Sequence, residues 1–435
     1  MAEGKTVSAT ISAVAITQTA GVTVTAGAVS ASQSTVAAAP ATITAGGTGS
    51  TITVTAKDAN GNLISGASVT VASTGSSNVF TPSASGTTNG SGVFQTTLTS
   101  TVAEAKTVSA TINAVAITQT AAVTVTAGAV SASLSTVAAA PASITAGGTG
   151  STITVTAKDA HGNLISGASV TVASTGSSNV FTPSASGTTN SSGVFTSVLT
   201  STVAEGKTVS ATINAVAITQ TAGVTVNPGA AATLAFTTEP PASTTAGAGF
   251  GVVVTAHDAN GNVATSFTGS VAVAITNGTG KAGAHLTGTA SVSAVAGVAT
   301  FSGLAIDSAA SGYTLTASAT GPSNGTSSAI TVNVGTASQV VVRTPAAGAV
   351  SGVAFTTQPV VIIADAGGNV VTTDNTTQVT MGVSTGGTTV GTVTITAVSG
   401  VVSFVDAGIS GASGLYTLTY TPSTAITATT QGISL

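Results

Sequence analysis

The feature that most constrains this chain is an internal repeat with a period of about one hundred residues. The segment KTVSATI begins at Lys5, at Lys106 and at Lys207, so consecutive copies lie 101 residues apart. Helical and leucine-rich repeats have much shorter periods, whereas a compact two-sheet β-sandwich needs about 100 residues. The period therefore predicts a series of similar domains rather than one continuous solenoid.

A five-residue turn marks the same place in every predicted domain. It reads DANGN at 58–62, DAHGN at 159–163, DANGN at 258–262 and DAGGN at 365–369. We interpret the segment from Thr51 to Ser73 as a strand, a tight turn and a second strand. In this hairpin Asp58 is expected to accept hydrogen bonds from nearby backbone N–H groups, and Asn60 and Gly61 are expected to supply positive φ angles.

Apolar residues alternate with Thr and Ser over short runs between turn signals, and no segment shows a helical period. This pattern predicts an all-β protein of tandem antiparallel sandwiches that form an elongated rod. The predicted segments are 1–27 (the C-terminal strands of an incomplete repeat), 28–128, 129–229, 230–335 and 336–435. Residues 1–27 align with residues 203–229. Either the chain is cut within a repeat, or these two strands complete a domain of another chain.

The last two units share a mark that the first two lack. Tyr313 and Tyr416 each open a YTLT segment late in their units, where the first two repeats have Lys106 and Lys207. A tyrosine at the start of a late strand is typical of the corner of immunoglobulin-type sandwiches, where its hydroxyl group binds backbone. We expect both tyrosines to play this part.

Residues 28–229 resemble the bacterial Ig-like repeats of the invasin and intimin group. The resemblance lies in STVAAAPATITAGGTGSTITVTAKDANGNLISGASVTV and GTTNGSGVFQTTLTST, and the last two units share the marks F-T-T-x-P, D-A-x-G-N and G-x-Y-T-L-T with a related surface repeat. It implies Ig-like folds, a bacterial surface or extracellular location, and a structural part in an adhesin. In such adhesins the repeats form the stalk that holds a distal binding module away from the cell.

The composition excludes several classes of function. Charged residues make up 4% of the chain and the seven basic ones are dispersed, so we expect no nucleic-acid partner. No apolar run approaches the 18–20 residues that cross a bilayer, so no membrane span is expected in this chain. Cysteine is absent, so no disulfide can stabilise the domains.

The turn also raises the question of a metal, because Asp58, Asn60 and Asn62 match the first ligands of a calcium loop. The sixth position is Leu63 instead of Gly and the twelfth is Val69 instead of Glu, so we favour a turn over a calcium site. Three histidines, His161, His257 and His285, are too scattered for a zinc cluster, and the first two are expected to be exposed. We predict no catalytic, cofactor or metal site and no enzymatic activity.

Three functional hypotheses remain open. The first is a non-enzymatic stalk or spacer of a surface adhesin. The second is that the C-terminal units bind a glycan or a host protein directly, which would require aromatic or polar groups at their loop ends, and Tyr313, Tyr416 and Tyr420 are the only tyrosines. The third is a filament or sheath that assembles through the N-terminal strands or through lateral pairing of weakly charged edge strands.

Overall fold

The computed structural model describes all residues from Met1 to Leu435, and its regular elements are strands without a helix. Four separate clusters of buried apolar side chains lie within residues 36–125, 137–226, 234–332 and 340–433. The chain divides into two compact units, Met1–Asn227 and Pro228–Leu435. The predicted class of tandem all-β sandwiches is confirmed, while the boundaries between sandwiches stay a prediction.

Residues 1–27 form a small hairpin without a core of its own. Its strands are Gly4–Val7 (β1), Thr10–Ile11 (β2), Val14–Ala15 (β3) and Ala20–Thr23 (β4). Strand β1 pairs with β4 and β2 pairs with β3, both antiparallel. None of residues 1–27 is buried.

The first complete sandwich consists of two sheets. Its strands are Thr35–Ala39 (β5), Thr42–Thr44 (β6), Ser50–Thr55 (β7), Ser68–Ser73 (β8), Asn78–Thr81 (β9), Ser85–Thr87 (β10), Val93–Ser100 (β11), Ala105–Ile112 (β12), Val115–Ala116 (β13) and Ala121–Thr126 (β14). One sheet has the order β5-β7-β11-β9 and the other β10-β8-β12-β14-β6, with β13 beside β12. All pairs are antiparallel except β14 with β6. Ile52, Val54, Val108 and Ile112 point into the core and are fully buried, as the period-two alternation predicts.

The second sandwich repeats the first strand for strand. Its strands are Thr136–Ala140 (β15), Ser143–Thr145 (β16), Ser151–Thr156 (β17), Ser169–Ser174 (β18), Asn179–Thr182 (β19), Ser186–Thr188 (β20), Val194–Ser201 (β21), Gly206–Ile213 (β22), Val216–Ala217 (β23) and Ala222–Asn227 (β24). The sheets are β15-β17-β21-β19 and β16-β24-β22-β18-β20, and β23 pairs with β22. The same alternation of residues thus gives the same pairing.

The third sandwich contains three sheets. Its strands are Thr233–Thr238 (β25), Ser243–Thr245 (β26), Phe250–His257 (β27), Ser270–Ile275 (β28), Leu286–Thr287 (β29), Ser291–Ser293 (β30), Val298–Ile306 (β31), Ala310–Tyr313 (β32), Leu315–Ala319 (β33), Gly325–Thr326 (β34) and Ile330–Asn333 (β35). The sheet orders are β25-β27-β31-β29, β26-β35-β32 and β30-β28-β33-β34. Its core contains three buried aromatic side chains, Phe250, Phe301 and Tyr313, whereas each of the first two cores contains one buried Phe.

The fourth sandwich is also built from three sheets. Its strands are Gln339–Thr344 (β36), Val353–Ala354 (β37), Val360–Ala364 (β38), Gln378–Val383 (β39), Gly387–Val390 (β40), Thr394–Thr396 (β41), Val401–Ser403 (β42), Gly408–Gly411 (β43), Leu415–Pro422 (β44) and Thr429–Ser434 (β45). The sheet orders are β36-β38-β42, β37-β43-β40 and β41-β39-β44-β45. Phe404 and Tyr420 pack with ring centroids 6.0 Å apart in its core.

The interpretation of Thr51 to Ser73 as a hairpin is wrong. Strand β7 pairs with β5 and β11 in one sheet, and β8 pairs with β10 and β12 in the other. The turn itself is tight, with a single bridge between Lys57 and Leu63, but the chain then crosses from one sheet to the other. It crosses because Ala67 is buried in the core between the sheets. Only Gly61 has a positive φ, of 81°, so the expectation for Asn60 is also wrong.

The predicted tyrosine corners are confirmed. The Tyr313 hydroxyl group donates to the Ser308 carbonyl oxygen at 2.8 Å, and that of Tyr416 donates to the Ala412 carbonyl oxygen at 2.9 Å. In the first repeat the Lys106 side chain is fully buried at this place. Its Nζ donates to the Ser76 carbonyl oxygen at 2.9 Å and to Glu104 Oε1 at 2.8 Å. An ammonium group thus takes the place of a phenol as the donor to backbone.

Candidate functional site

The five-residue turn recurs along the chain, and the hydrogen bonds of its first side chain explain its pattern. Asp58 Oδ1 accepts from the backbone N–H groups of Asn60 and Asn62, both at 2.9 Å. Asp58 Oδ2 accepts from Asn62 Nδ2 at 2.8 Å and from the backbone N–H of Gly27 at 2.9 Å. The predicted Asx-turn is therefore confirmed, and the carboxylate also holds a residue of the segment that leads into the repeat.

The last side chain of the turn reaches the preceding repeat. Asn62 Oδ1 accepts from the backbone N–H of Ala2 at 2.9 Å, while Asn62 Nδ2 donates to Asp58. The two side chains thus connect three stretches: the turn, the linker at Gly27, and the loop before β1. We call this arrangement the joint, defined by the Asp and Asn of the turn, the linker Gly, and the loop of the preceding repeat.

The joint recurs between the first and second repeats. The Gly128 N–H donates to Asp159 Oδ2 at 2.8 Å, and the Ala103 N–H donates to Asn163 Oδ1 at 2.9 Å. Here Asn163 Nδ2 donates both to Asp159 Oδ2 at 2.8 Å and to the Thr101 carbonyl oxygen at 2.9 Å. The linker glycine is therefore held by a charged acceptor.

The second compact unit contains the same joint between its two sandwiches. The Gly335 N–H donates to Asp365 Oδ2 at 2.8 Å, and the Ala309 N–H donates to Asn369 Oδ1 at 2.9 Å. Asn369 Nδ2 donates to the Asp307 carbonyl oxygen at 2.9 Å. The pattern survives although Gly367 replaces the central Asn or His of the other turns, because the bond to the turn carboxylate comes from the backbone N–H of that position.

The hydrogen bonds keep the first three turn carboxylates ionised. The side chain of Asn62 and the N–H of Gly27 lower the pKa of Asp58 to about 2. Burial raises the pKa of Asp159, but the donors Asn163 and Gly128 outweigh it, so that this pKa lies below its usual range. The same balance, with Asn262 and Gly229 as donors, lowers the pKa of Asp258. Each of these carboxylates is therefore a charged acceptor at neutral pH.

His161 adds a contact that the sequence analysis missed. Its side chain is exposed, as expected, but its imidazole lies against Gly46 of the preceding repeat. A Cβ atom at Gly46 would approach His161 Nε2 to 2.1 Å, so a larger residue there would displace the imidazole, and the φ of 72° at Gly46 favours glycine as well. The two residues of this contact lie more than a hundred positions apart, so no local sequence pattern predicts it.

The other candidate residues do not converge on a site. His257 is half-buried rather than exposed, because its Nδ1 lies 3.1 Å from the Gly261 carbonyl oxygen of its own turn. His285 lies 3.1 Å from Asp307 Oδ2 at the surface. Among all residues, no group of three or more His, Cys, Asp and Glu side chains is arranged to hold a metal ion.

The three tyrosines are core residues. Tyr313 and Tyr420 have no exposed surface, and Tyr416 has 9%. Burial raises the pKa of Tyr420 well above its ordinary value, and its hydroxyl group donates to Gln431 Oε1. The hypothesis of direct binding by the C-terminal units requires aromatic or polar groups at a loop end, and these three tyrosines do not supply the aromatic ones.

The first two repeats match a known family. Residues 30–128 and residues 131–229 each match the family described as "Invasin, domain 3". These two repeats are therefore Ig-like domains of the invasin type, in agreement with the resemblance in their sequences. Residues 230–435 lie outside both matches. No protein with a curated description matches the chain significantly.

Solved structures of bacterial adhesins resemble parts of the chain. The Escherichia coli adhesin FdeC is 26% identical, with a TM-score of 0.43, over 72% of this chain and 99% of its own. Yersinia pseudotuberculosis InvD is 24% identical, with a TM-score of 0.43, over 70% of this chain and 99% of its own. Invasin, described as a bacterial integrin-binding protein, is 18% identical, with a TM-score of 0.36, over 89% of this chain and 76% of its own.

The structure contains no helix that could span a membrane.

Proposed function

We propose that this chain is a non-enzymatic stalk of a bacterial surface or extracellular adhesin, which holds a binding module at a distance from the cell. The observation that carries the proposal is the joint. The same Asp, Asn and Gly contacts recur at three places: at Asp58 they hold residues 1–27 to the first sandwich, and at Asp159 and Asp365 they connect neighbouring sandwiches. The match of the first two repeats to invasin domain 3 supports the same class of function.

The joint restricts motion in a way that a plain linker does not. A Gly-containing linker alone is flexible, and its two neighbouring domains can rotate about it. In the joint, the turn of one repeat holds both the linker, through Asp159, and a loop of the preceding repeat, through Asn163. Two attachment points separated along the turn oppose rotation about either one. Each sandwich also buries its own core, so it can act as a mechanical unit.

Direct binding of a glycan or a host protein by the C-terminal units is the alternative, and the three tyrosines of these units lie in the cores. Catalysis likewise needs a nucleophile, a base and an orienting group in one place. The acid and imidazole that lie closest at the surface are Asp307 and His285, and the Asp307 carboxylate accepts from the backbone N–H of His285 while its Oδ2 lies 3.1 Å from His285 Nδ1. A screen of the full chain on a glycan array and on host surface proteins tests this alternative, and saturable binding there would replace the stalk proposal.

The stalk proposal predicts a narrow distribution of distances between neighbouring repeats. Because the chain has no cysteine, spin labels can be attached at Gln95→Cys and Thr196→Cys, two exposed and equivalent strand positions in successive repeats. We expect pulsed electron paramagnetic resonance to give one narrow distance in the parent chain. Asn163→Ala, which removes the contact to Ala103, should broaden it markedly.

Asn190→Ala is the matched control for this experiment. Asn190 Oδ1 accepts from the N–H groups of Ser192 and Val194 in a turn of the same repeat that does not belong to the joint. Its substitution removes a comparable set of hydrogen bonds and should leave the distance narrow. A broad distribution in the parent chain, or equal widths for Asn163→Ala and the parent, would contradict the proposal.

A further inference from the structure

A long glycine-rich loop distinguishes the third sandwich from the first two. Ten residues, 276–285, connect β28 to β29, whereas four residues connect β8 to β9 in the first repeat and β18 to β19 in the second. None of residues 277–283 belongs to the core of the third sandwich. Packing therefore does not explain the added length, and binding residues are often found on loops of this kind. We call residues 276–284 the glycine loop.

The backbone of the glycine loop changes hand from one residue to the next. The φ angles of Gly278 and Gly280 are 80° and 65°, and Thr279 between them has no positive φ. Gly283 has a φ of 79°. A backbone that alternates in this way turns successive N–H groups to one side and forms a concave surface for anions. At Gly278 and Gly283 a Cβ atom would meet nothing within 4 Å, so it is the φ angle that favours glycine at these two places.

The fold leaves several backbone donors of this loop unused. The N–H groups of Gly278, Gly280, Ala282 and Gly283 have no acceptor within the protein. The same residues border a cavity of about 380 Å³ that is lined by residues 275–284. A cavity of this volume is large enough for a small ligand group. The loop thus combines free N–H donors with space for an acceptor.

Lys281 supplies a positive charge at this cavity. Its side chain is exposed and forms no ion pair, and no acidic residue lines the cavity. The loop also has a fixed support, because a Cβ atom at Gly280 would approach the ring of the buried Tyr313 to 2.1 Å. The backbone at Gly280 therefore lies directly on the ring. Such support lowers the entropic cost of ordering the loop around a ligand.

We propose that the glycine loop binds a phosphate group, either as the free ion or at the end of a phosphate monoester. The unused N–H groups would donate to its oxygen atoms, and Lys281 would add a charge-assisted contact. A phosphate group offers at least three strong acceptor oxygens, whereas a carboxylate offers two, so phosphate suits the four donors better. The loop shares no residue with the joints, so this binding is separate from the mechanical function.

The test titrates the full chain with inorganic phosphate at constant ionic strength and follows the backbone amides by nuclear magnetic resonance. We expect saturable shifts at residues 278–283. Lys281→Gln should weaken binding about tenfold, because it removes the charge-assisted contact. Gly278→Ala should weaken it as well, because alanine disfavours the φ of 80° while Lys281 keeps its charge. Lys5→Gln is the control, since Lys5 is exposed outside the third sandwich, and it should bind like the parent.

Hydrogen exchange of β28 and β33 shows whether each variant keeps the parent fold. Saturable shifts in the loop that both loop variants weaken, and that Lys5→Gln leaves unchanged, support the proposal. The absence of saturable shifts in the loop would overturn it, and so would equal affinities of Lys281→Gln and the parent. Glycerol 1-phosphate then distinguishes the two sources. An affinity within tenfold of that for inorganic phosphate assigns the phosphate group of a larger molecule, and a weaker one assigns the free ion.

Discussion

At the scale of single residues, a buried ammonium group stands in the first two repeats where the last two have a tyrosine hydroxyl group. The sequence predicts that Lys106 and Tyr313 occupy equivalent places, and it predicts the tyrosine corner. It does not predict that Lys106 is buried, because lysine is almost always exposed and its acceptor, Ser76, lies 30 positions earlier. A buried ammonium group requires paired acceptors, and Glu104 is the charged one.

This pair makes the stability of the first repeat depend on pH. The hydrogen bonds from Lys106 and from the Ser76 N–H lower the pKa of Glu104 below its usual range. The carboxylate therefore stabilises the fold above its unfolded pKa of about 4.3, and this contribution is lost as the pH falls through the lower, folded value. We expect Glu104→Gln to be less stable than the parent at about pH 7, with a smaller difference at acid pH as the pH falls through the folded pKa of Glu104. Hydrogen exchange of β12 in urea measures it.

Glu3→Gln is the matched control, because the pair of Lys5 and Glu3 is exposed and exposed pairs contribute little. It should leave stability unchanged at both pH values. A difference between Glu104→Gln and the parent that stays constant from about pH 7 to the lowest pH at which the parent is still folded would show that the charge of Glu104 is not the cause.

At the scale of elements, the alternation of Val and Ile with Thr predicts the strands but not which sheet each joins. Strands β7 and β8 are close in sequence and still lie in different sheets, because Ala67 enters the core between them. The joint could not be predicted for a related reason. Asn62 accepts from the backbone N–H of Ala2, which lies 60 positions away in another repeat. Local turn propensity explains the Asp and the Gly of the turn, but it does not predict this contact of the Asn.

Asp58→Asn tests whether the carboxylate organises the joint. Asp58 accepts four N–H donors with two oxygens, whereas an asparagine has one acceptor oxygen and turns an amide N–H toward at least one of these donors. We expect the amides of Gly27, Asn60 and Asn62 to exchange faster in the variant. In the parent chain the same acceleration needs protonation of Asp58, so it should begin only as the pH approaches about 2.

Asn89→Ala is the control for the turn. Asn89 Oδ1 accepts from Ser91 and Val93 in a turn of the same repeat, and its loss should accelerate exchange there while Gly27 stays protected. Unchanged exchange of Gly27 in Asp58→Asn would contradict the assignment of the carboxylate to the joint.

At the scale of the whole molecule, the period of the sequence predicts the separate cores well. Each core is filled from its own segment of about one hundred residues, so we expect each sandwich to have a stability of its own. In repeat proteins of this kind, stability is a sum of terms within repeats and between nearest neighbours. Loss of packing in one core should therefore destabilise that repeat alone. The small number of surface charges does not change this expectation.

Leu98→Ala tests this locality. Leu98 is completely buried in the first core, and truncation of a buried leucine to alanine costs about 2–5 kcal/mol. We expect exchange to accelerate throughout residues 35–126 and to stay at the parent rates in residues 340–433. Leu199→Ala, at the equivalent buried position of the second repeat, should give the reciprocal pattern, with residues 136–227 accelerated. Equal acceleration of all four cores by either variant would mean that the chain unfolds as one cooperative body, and the stalk would then lack independent mechanical units.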